Sequence, residues 1–172
     1  MEGERVKAWV SGGAAGIAIG VAVAFSSARW GGGVTQPVAF NHRKHTQDLK
    51  LECELCHPYV KTGHHPGLPS LETCAMCHGT LQGTSRESAK VTAYVTSGRP
   101  LVFHKLFGLP SYVFYTHRRH VGIAKLPCRD CHGSIALTTS PPRHPLVTIT
   151  MNFCLDCHRK MHQTTDCIGC HR

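Results

Sequence analysis

Aromatic residues are scarce in this 172-residue chain, at 7%, and acidic ones are outnumbered, 10 Asp and Glu against 19 Lys and Arg. With so few large rings, and with 17 glycines and 10 prolines, the chain makes a poor conventional core, and something other than Leu, Ile, Val and Phe must supply buried surface. No cysteine is left outside one repeated motif, and no nucleic-acid motif accompanies the formal charge of +9.

What the chain has instead is ligand-type side chains: 10 cysteines and 14 histidines. All the cysteines fall in five Cys-x-x-Cys-His strings: Cys53-Cys56-His57, Cys74-Cys77-His78, Cys128-Cys131-His132, Cys154-Cys157-His158 and Cys167-Cys170-His171. This is the attachment signature of c-type haem. Two thiols add across the vinyl groups as thioethers, and the adjacent histidine becomes the proximal iron ligand. Zinc knuckles also use paired cysteines, but zinc has no need of a histidine after every second one. Five such placements by chance have odds on the order of one in a few hundred thousand, and disulfides explain no histidines. The expected cofactors are therefore five covalently bound haem c groups. Their propionates would add roughly ten negative charges and bring the charge of +9 near neutral, so much of the basic surface is read as propionate partners.

Nine histidines lie outside the strings. Four are duplicated in pattern. In "FNHRKHTQDLKLECELCH" and "YTHRRHVGIAKLPCRDCH", two histidines three apart stand seven residues ahead of a string, with an aromatic residue two positions before the first. On a helical turn His42 and His45, and likewise His117 and His120, share a face yet diverge enough to serve two irons. They are the expected distal ligands, leaving the fifth to His104, His65 or His144. Met76, Met151 and Met161 are read as packing.

Residues 8–29 contain the uncharged run "AWVSGGAAGIAIGVAVAFSSA", long enough to cross a bilayer as a helix. Arg5 and Lys7 precede it, which sets the N-terminus in the cytoplasm. Trp9 and Trp30 bracket it, roughly 31 Å apart on a helix. A cleaved signal peptide ending near Ser26-Ser27-Ala28 is the alternative, but the run is longer than a usual signal core. Gly12, Gly16 and Gly20, continued by Ala24 and Ala28, form a smooth stripe suited to packing against another membrane helix.

The expected organisation is a cytoplasmic N-terminus (1–7), an anchor helix (8–29), a linker (30–37), a di-haem module (38–79), a connector without ligand-type residues (80–100) and a tri-haem module (101–172). The fold class is a multihaem cytochrome c: short helices and loops around five haems, low in strand, plus one transmembrane helix.

The aromatic-x-His-x-x-His-x7-Cys-x-x-Cys-His unit resembles the class III, cytochrome c3/c7-like multihaem cytochromes. "GLPSYVFYTHRRHV", "CRDCHG" and "MNFCLDCHRK" are more specifically similar to the membrane-anchored pentahaem subunit of alternative complex III and related quinol-linked complexes. Where those relatives place a histidine ahead of the "YVFY" segment, this chain has Phe107, with His104 three residues earlier. The resemblance implies an electron-transfer subunit without a substrate site of its own. It would carry electrons from a quinol-oxidising complex with integral membrane and iron–sulfur subunits to a soluble cytochrome or copper protein, in respiratory or photosynthetic transport. The haem domain would face the periplasm. The alternatives are a self-sufficient single-anchor quinol dehydrogenase and, with one open iron, a multihaem reductase, although none of the five strings is altered as in such reductases.

Overall fold

In a computed structural model of the chain, residues 33–171 are described. The anchor, its flanking tryptophans and the stripe of Gly12, Gly16 and Gly20 lie outside them. Among the described residues no helix is long and apolar enough to cross a membrane.

From Val34 onward the chain forms one compact unit. Its helices are short, and every Cys-x-x-Cys-His string lies on one: α1 (Cys53–Cys56), α2 (Leu71–His78), α4 (Arg129–His132), α5 (Met151–Lys160) and α6 (Cys167–Cys170). The remaining α-helix, α3 (Arg86–Ser97), lies in the expected connector and packs against α2. Its ends are cut by side-chain and glycine chemistry. The Ser85 hydroxyl accepts from the Ser88 N–H at 3.0 Å, and Gly98 closes the helix in the left-handed region at φ 65°. Ser70 and Thr150 cap α2 and α5 in the same way, accepting from Thr73 and Phe153. Among the described residues no strand forms; the one isolated β-bridge joins Val113 to His171.

The aliphatic interior is as small as the composition implies. Val38 and Val60 are the buried hydrophobic residues among those described, while Leu49, Val102, Ile123 and Ile168 are more than half exposed. Order comes instead from loops that brace one another. The first histidine pair is held by the segment after the third string: Arg43 N–H donates to Thr138 O at 3.0 Å and the Thr46 hydroxyl to Ala136 O at 2.8 Å. The second pair is held reciprocally by the segment after the first string, His117 N–H donating to His64 O at 3.2 Å and Arg118 N–H to Gly63 O at 3.0 Å. The two sequence repeats are thus cross-braced about a pseudo-two-fold relation, and the stretches 38–79 and 101–172 stabilise each other.

Candidate functional site

Each string places its two cysteines one helical turn apart, so both sulfurs share a face, with the histidine at the turn's end. The backbone closes the turn at each of three strings: His57 N–H donates to Cys53 O at 2.9 Å, His132 to Cys128 at 2.9 Å and His171 to Cys167 at 2.8 Å. All ten cysteines are free. Burial pushes the Cys53, Cys56, Cys74, Cys131 and Cys154 thiols up. Among the described residues no three His, Cys, Asp or Glu side chains converge into a metal-holding group.

The histidines instead meet in facing pairs. The ring centres of His45 and His78 are 6.4 Å apart, those of His117 and His132 6.3 Å, and those of His120 and His158 6.3 Å. A metal held between two imidazoles sits about 2 Å from each nitrogen, which is about 1.1 Å from its ring centre; the ring centres are then about 6.2 Å apart. The observed spacing fits one iron between two rings, with a thiol pair beside it to hold a porphyrin edge. Interplanar angles are 40° for His45–His78, 11° for His117–His132 and 31° for His120–His158. The pKa of His42 is lowered to about 4, first by burial and then by the charges of His57 and His45.

The ring nitrogens are oriented for this task. His45 Nδ1 donates to Asn41 O at 2.8 Å, His120 Nδ1 to Thr116 O at 2.9 Å, His57 Nδ1 to Gly67 O at 2.8 Å and His158 Nδ1 to Thr164 O at 2.6 Å. A carbonyl only accepts, so the proton is on Nδ1 and the lone pair of Nε2 is left for a metal. His117 Nδ1 makes the same bond to His64 O at 3.2 Å, and His42 Nδ1 pairs with the Thr138 hydroxyl at 3.2 Å. Burial also lowers the pKa of His78, His117 and His132, keeping those rings neutral.

The duplicated aromatic now has a role. Phe40 stacks on His45 (4.4 Å, 21°) and stands edge-on to His42 (4.8 Å, 81°). Tyr115 does the same to His120 (4.5 Å, 29°) and His117 (5.1 Å, 84°). The expected helical turns are present and widen within each pair: His42 and His117 come just before, and His45 and His120 within, π-helical segments over Lys44–Asp48 and Arg118–Ile123. The wider turn is the local device that splays the two rings. Both turns end alike: Lys50 and Lys125 adopt φ 56°, letting Leu51 and Leu126 N–H return to the carbonyls of His45 and His120, each at 3.0 Å. In the sequence this shared ending shows only as a repeated Lys-Leu, Lys50-Leu51 and Lys125-Leu126.

The candidates for the fifth distal position are placed otherwise. His65 is exposed against His64, with ring centres 4.8 Å apart. His104 is exposed, its backbone N–H and O both engaged by the Gln36 amide at 2.9 and 2.7 Å. His144 is exposed. Phe107 stands edge-on to His132 at 4.6 Å, and the His171 ring faces Tyr112 at 5.7 Å. Met76, Met151 and Met161 are exposed.

Comparison with known proteins places the chain among multihaem cytochromes c. Residues 25–105 match the class III cytochrome c family, and residues 113–172 match cytochrome c7 and related cytochromes c. The chain is also similar to the menaquinone reductase multihaem cytochrome c subunit of Nitratidesulfovibrio vulgaris (strain Hildenborough), 32% identical over 138 residues. That alignment covers 76% of this chain and 64% of the relative, so the chain spans less than two thirds of the relative's length.

Proposed function

Because the chain is a multihaem cytochrome c of the class III type, carrying covalently bound c-type haem, we propose that it relays electrons as a subunit of a menaquinone-linked membrane complex. Its counterpart on the outer side is a soluble periplasmic carrier. The facing histidines carry this reading, with ring centres 6.3 to 6.4 Å apart. Haem supplies reversible one-electron chemistry when bound, at a potential set by its axial ligands and surroundings.

This chain's residues bind, orient and insulate. Each Cys pair fixes one porphyrin edge, and His57, His78, His132, His158 and His171 serve as proximal ligands of five sites. His42, His45, His117 and His120 would supply second ligands to four of them, His45 facing His78, His117 facing His132 and His120 facing His158. The four closed axial positions exclude substrate at those sites, which makes them electron carriers rather than catalysts. Backbone carbonyls on Nδ1, with Phe40 and Tyr115 against the rings, hold the imidazoles fixed in orientation.

The membrane partner is supported by the similarity to a menaquinone reductase subunit, and by the uncharged run at 8–28 with its Gly12, Gly16 and Gly20 stripe. Flow toward menaquinone follows from that name. The similarity to alternative complex III, with its iron–sulfur subunits, implies flow out of quinol, and the same conduit serves both directions. Covalent haem attachment outside the cytoplasm supports a periplasmic haem domain.

The test is purification of the native chain through a C-terminal tag, with intact mass and co-purifying subunits read together. Five haems add about 3 kDa to the 18.8 kDa polypeptide. That increment, together with integral membrane partners and menaquinone-dependent electron exchange, is the expected result. A chain that exchanges electrons with menaquinol equally well alone would point to the self-sufficient quinol dehydrogenase. The bare polypeptide mass would overturn the reading.

A further inference from the structure

The two histidine turns repeat one another down to the hydrogen bonds of their rings, with one exception. The second histidine of each pair gives its Nδ1 proton to the carbonyl four residues before it, His45 to Asn41 at 2.8 Å and His120 to Thr116 at 2.9 Å. The first histidine of each pair reaches across the cross-brace into the other half, and both do so at 3.2 Å. There the acceptors differ. His117 meets a peptide carbonyl, that of His64, whereas His42 meets the side-chain hydroxyl of Thr138.

The direction of the His42 bond follows from what else that hydroxyl does. Thr138 Oγ1 lies 2.8 Å from Ile135 O, and a carbonyl can only accept, so the single hydroxyl hydrogen goes there. The oxygen is left to accept, and the His42 ring carries its proton on Nδ1, with the Nε2 lone pair free for iron. Backbone contacts fix the hydroxyl in place. Thr138 closes a short 3-10 turn over Ile135–Leu137, and its own carbonyl receives Arg43 N–H at 3.0 Å. Two residues earlier, Ala136 O receives the Thr46 hydroxyl at 2.8 Å. These bonds hold the His42 turn against the loop that carries Thr138.

We infer that Thr138 is a positioning residue that sets the potential of one haem, by fixing the tautomer of His42 and by giving its ring a hydroxyl acceptor where the other half supplies a carbonyl. The inference rests on His42 being an iron ligand, as proposed above. A hydrogen bond from Nδ1 makes an imidazole a stronger donor to iron, which favours the ferric state and lowers the potential. A hydroxyl draws that proton less than a peptide carbonyl does. The Thr138 bond therefore lowers the potential of the His42 site less than the His64 carbonyl lowers that of the His117 site. Two turns of one design thus hand their irons ligands of unequal strength, and the difference comes from a side chain, which a substitution can remove.

The experiment uses the full holoprotein with Thr138→Val, Thr138→Ser and His42→Ala, made separately. Redox titration followed by electron paramagnetic resonance reads the spin state and midpoint of each haem. His42→Ala should remove one low-spin signal, which identifies the His42 haem. In Thr138→Val, which keeps the side-chain shape without the hydroxyl, that same haem should stay low spin and rise in potential. Its ferrous-to-ferric ratio at fixed poise should grow by up to roughly tenfold, the ceiling set by the net worth of one hydrogen bond. The other midpoints should hold, and Thr138→Ser, which keeps the hydroxyl, should match the wild type. If Thr138→Val does not accumulate, Thr138→Ala replaces it with the same expectation. Unchanged midpoints, several midpoints moving together, or a serine variant that behaves like the valine one would overturn the role of Thr138 and leave the ligand reading intact. A His42→Ala protein that keeps every low-spin signal would overturn the ligand reading, and the inference with it.

Discussion

Gly122 offers a quantitative test of the cross-brace. It lies in the second π-turn, two residues after His120, and backbone of the other repeat passes directly over it. A Cβ built there would collide with the carbonyl oxygen of Lys61 and would also lie 3.1 Å from the Lys61 carbonyl carbon and 3.4 Å from its Cα. The obstacle is backbone, which cannot rotate away as a side chain would. Lys61 belongs to the loop whose Gly63 and His64 carbonyls receive Arg118 and His117. Gly122→Ala must therefore either push that loop off the histidine pair or tilt the turn that carries His120. Overpacking of this kind costs about 1–3 kcal/mol. Each kcal/mol lowers the midpoint of a protein this size by about 2–4 °C, so a fall of about 2–12 °C is expected. Thermal unfolding of the oxidised holoprotein, followed in the Soret band, measures it. Gly108→Ala is the control, since a Cβ there meets nothing within 4 Å. If the two variants melt together at the wild-type midpoint, the cross-brace does not hold the site as described.

Other expectations follow from the same geometry. His45→Ala should convert one low-spin haem to high spin, whereas His144→Ala, at an exposed position, should leave the electron paramagnetic resonance spectrum unchanged; equal loss in both would contradict the facing pair at 6.4 Å. Tyr115→Leu removes the ring stacked on His120 at 4.5 Å, so a destabilisation of about 0.5–1.5 kcal/mol beyond the loss of area is expected by denaturant titration. Acidification should destabilise the protein: His42 is held near pKa 4 by burial and neighbouring charge, against 6.5 in the unfolded chain. The unfolded state binds the extra proton between those values, so stability is full above about pH 6.5 and falls as pH drops toward 4. Iron at Nε2 acts in the same direction, and a melting midpoint that rises on acidification would refute the assignment.

The chemistry was legible because covalent attachment needs a contiguous motif. Five intact Cys-x-x-Cys-His strings name their own proximal ligands, and the duplicated histidine pairs announce themselves by spacing alone. Low strand content and short helices at the strings also follow from composition. The π-turns were not legible, because one extra residue per turn leaves no mark in a six-residue segment. Nor was the role of Gly122, which depends on a loop about 60 residues away. For His65, His104 and His144 the sequence offers local context alone, and whether a ring meets a proximal partner is decided by where distant loops run.

Sequence by itself determined which atoms could hold iron, how many attachment strings there are, and that this chain could not fold on aliphatic packing alone. Tertiary structure decided that His45 faces His78, His117 faces His132 and His120 faces His158, and that each half is braced by the other. The physical reason is the range of the forces involved. Thioether attachment and proximal ligation act within five residues, whereas a distal imidazole reaches a string up to 38 residues away, His120 to His158, across a contact only folding creates.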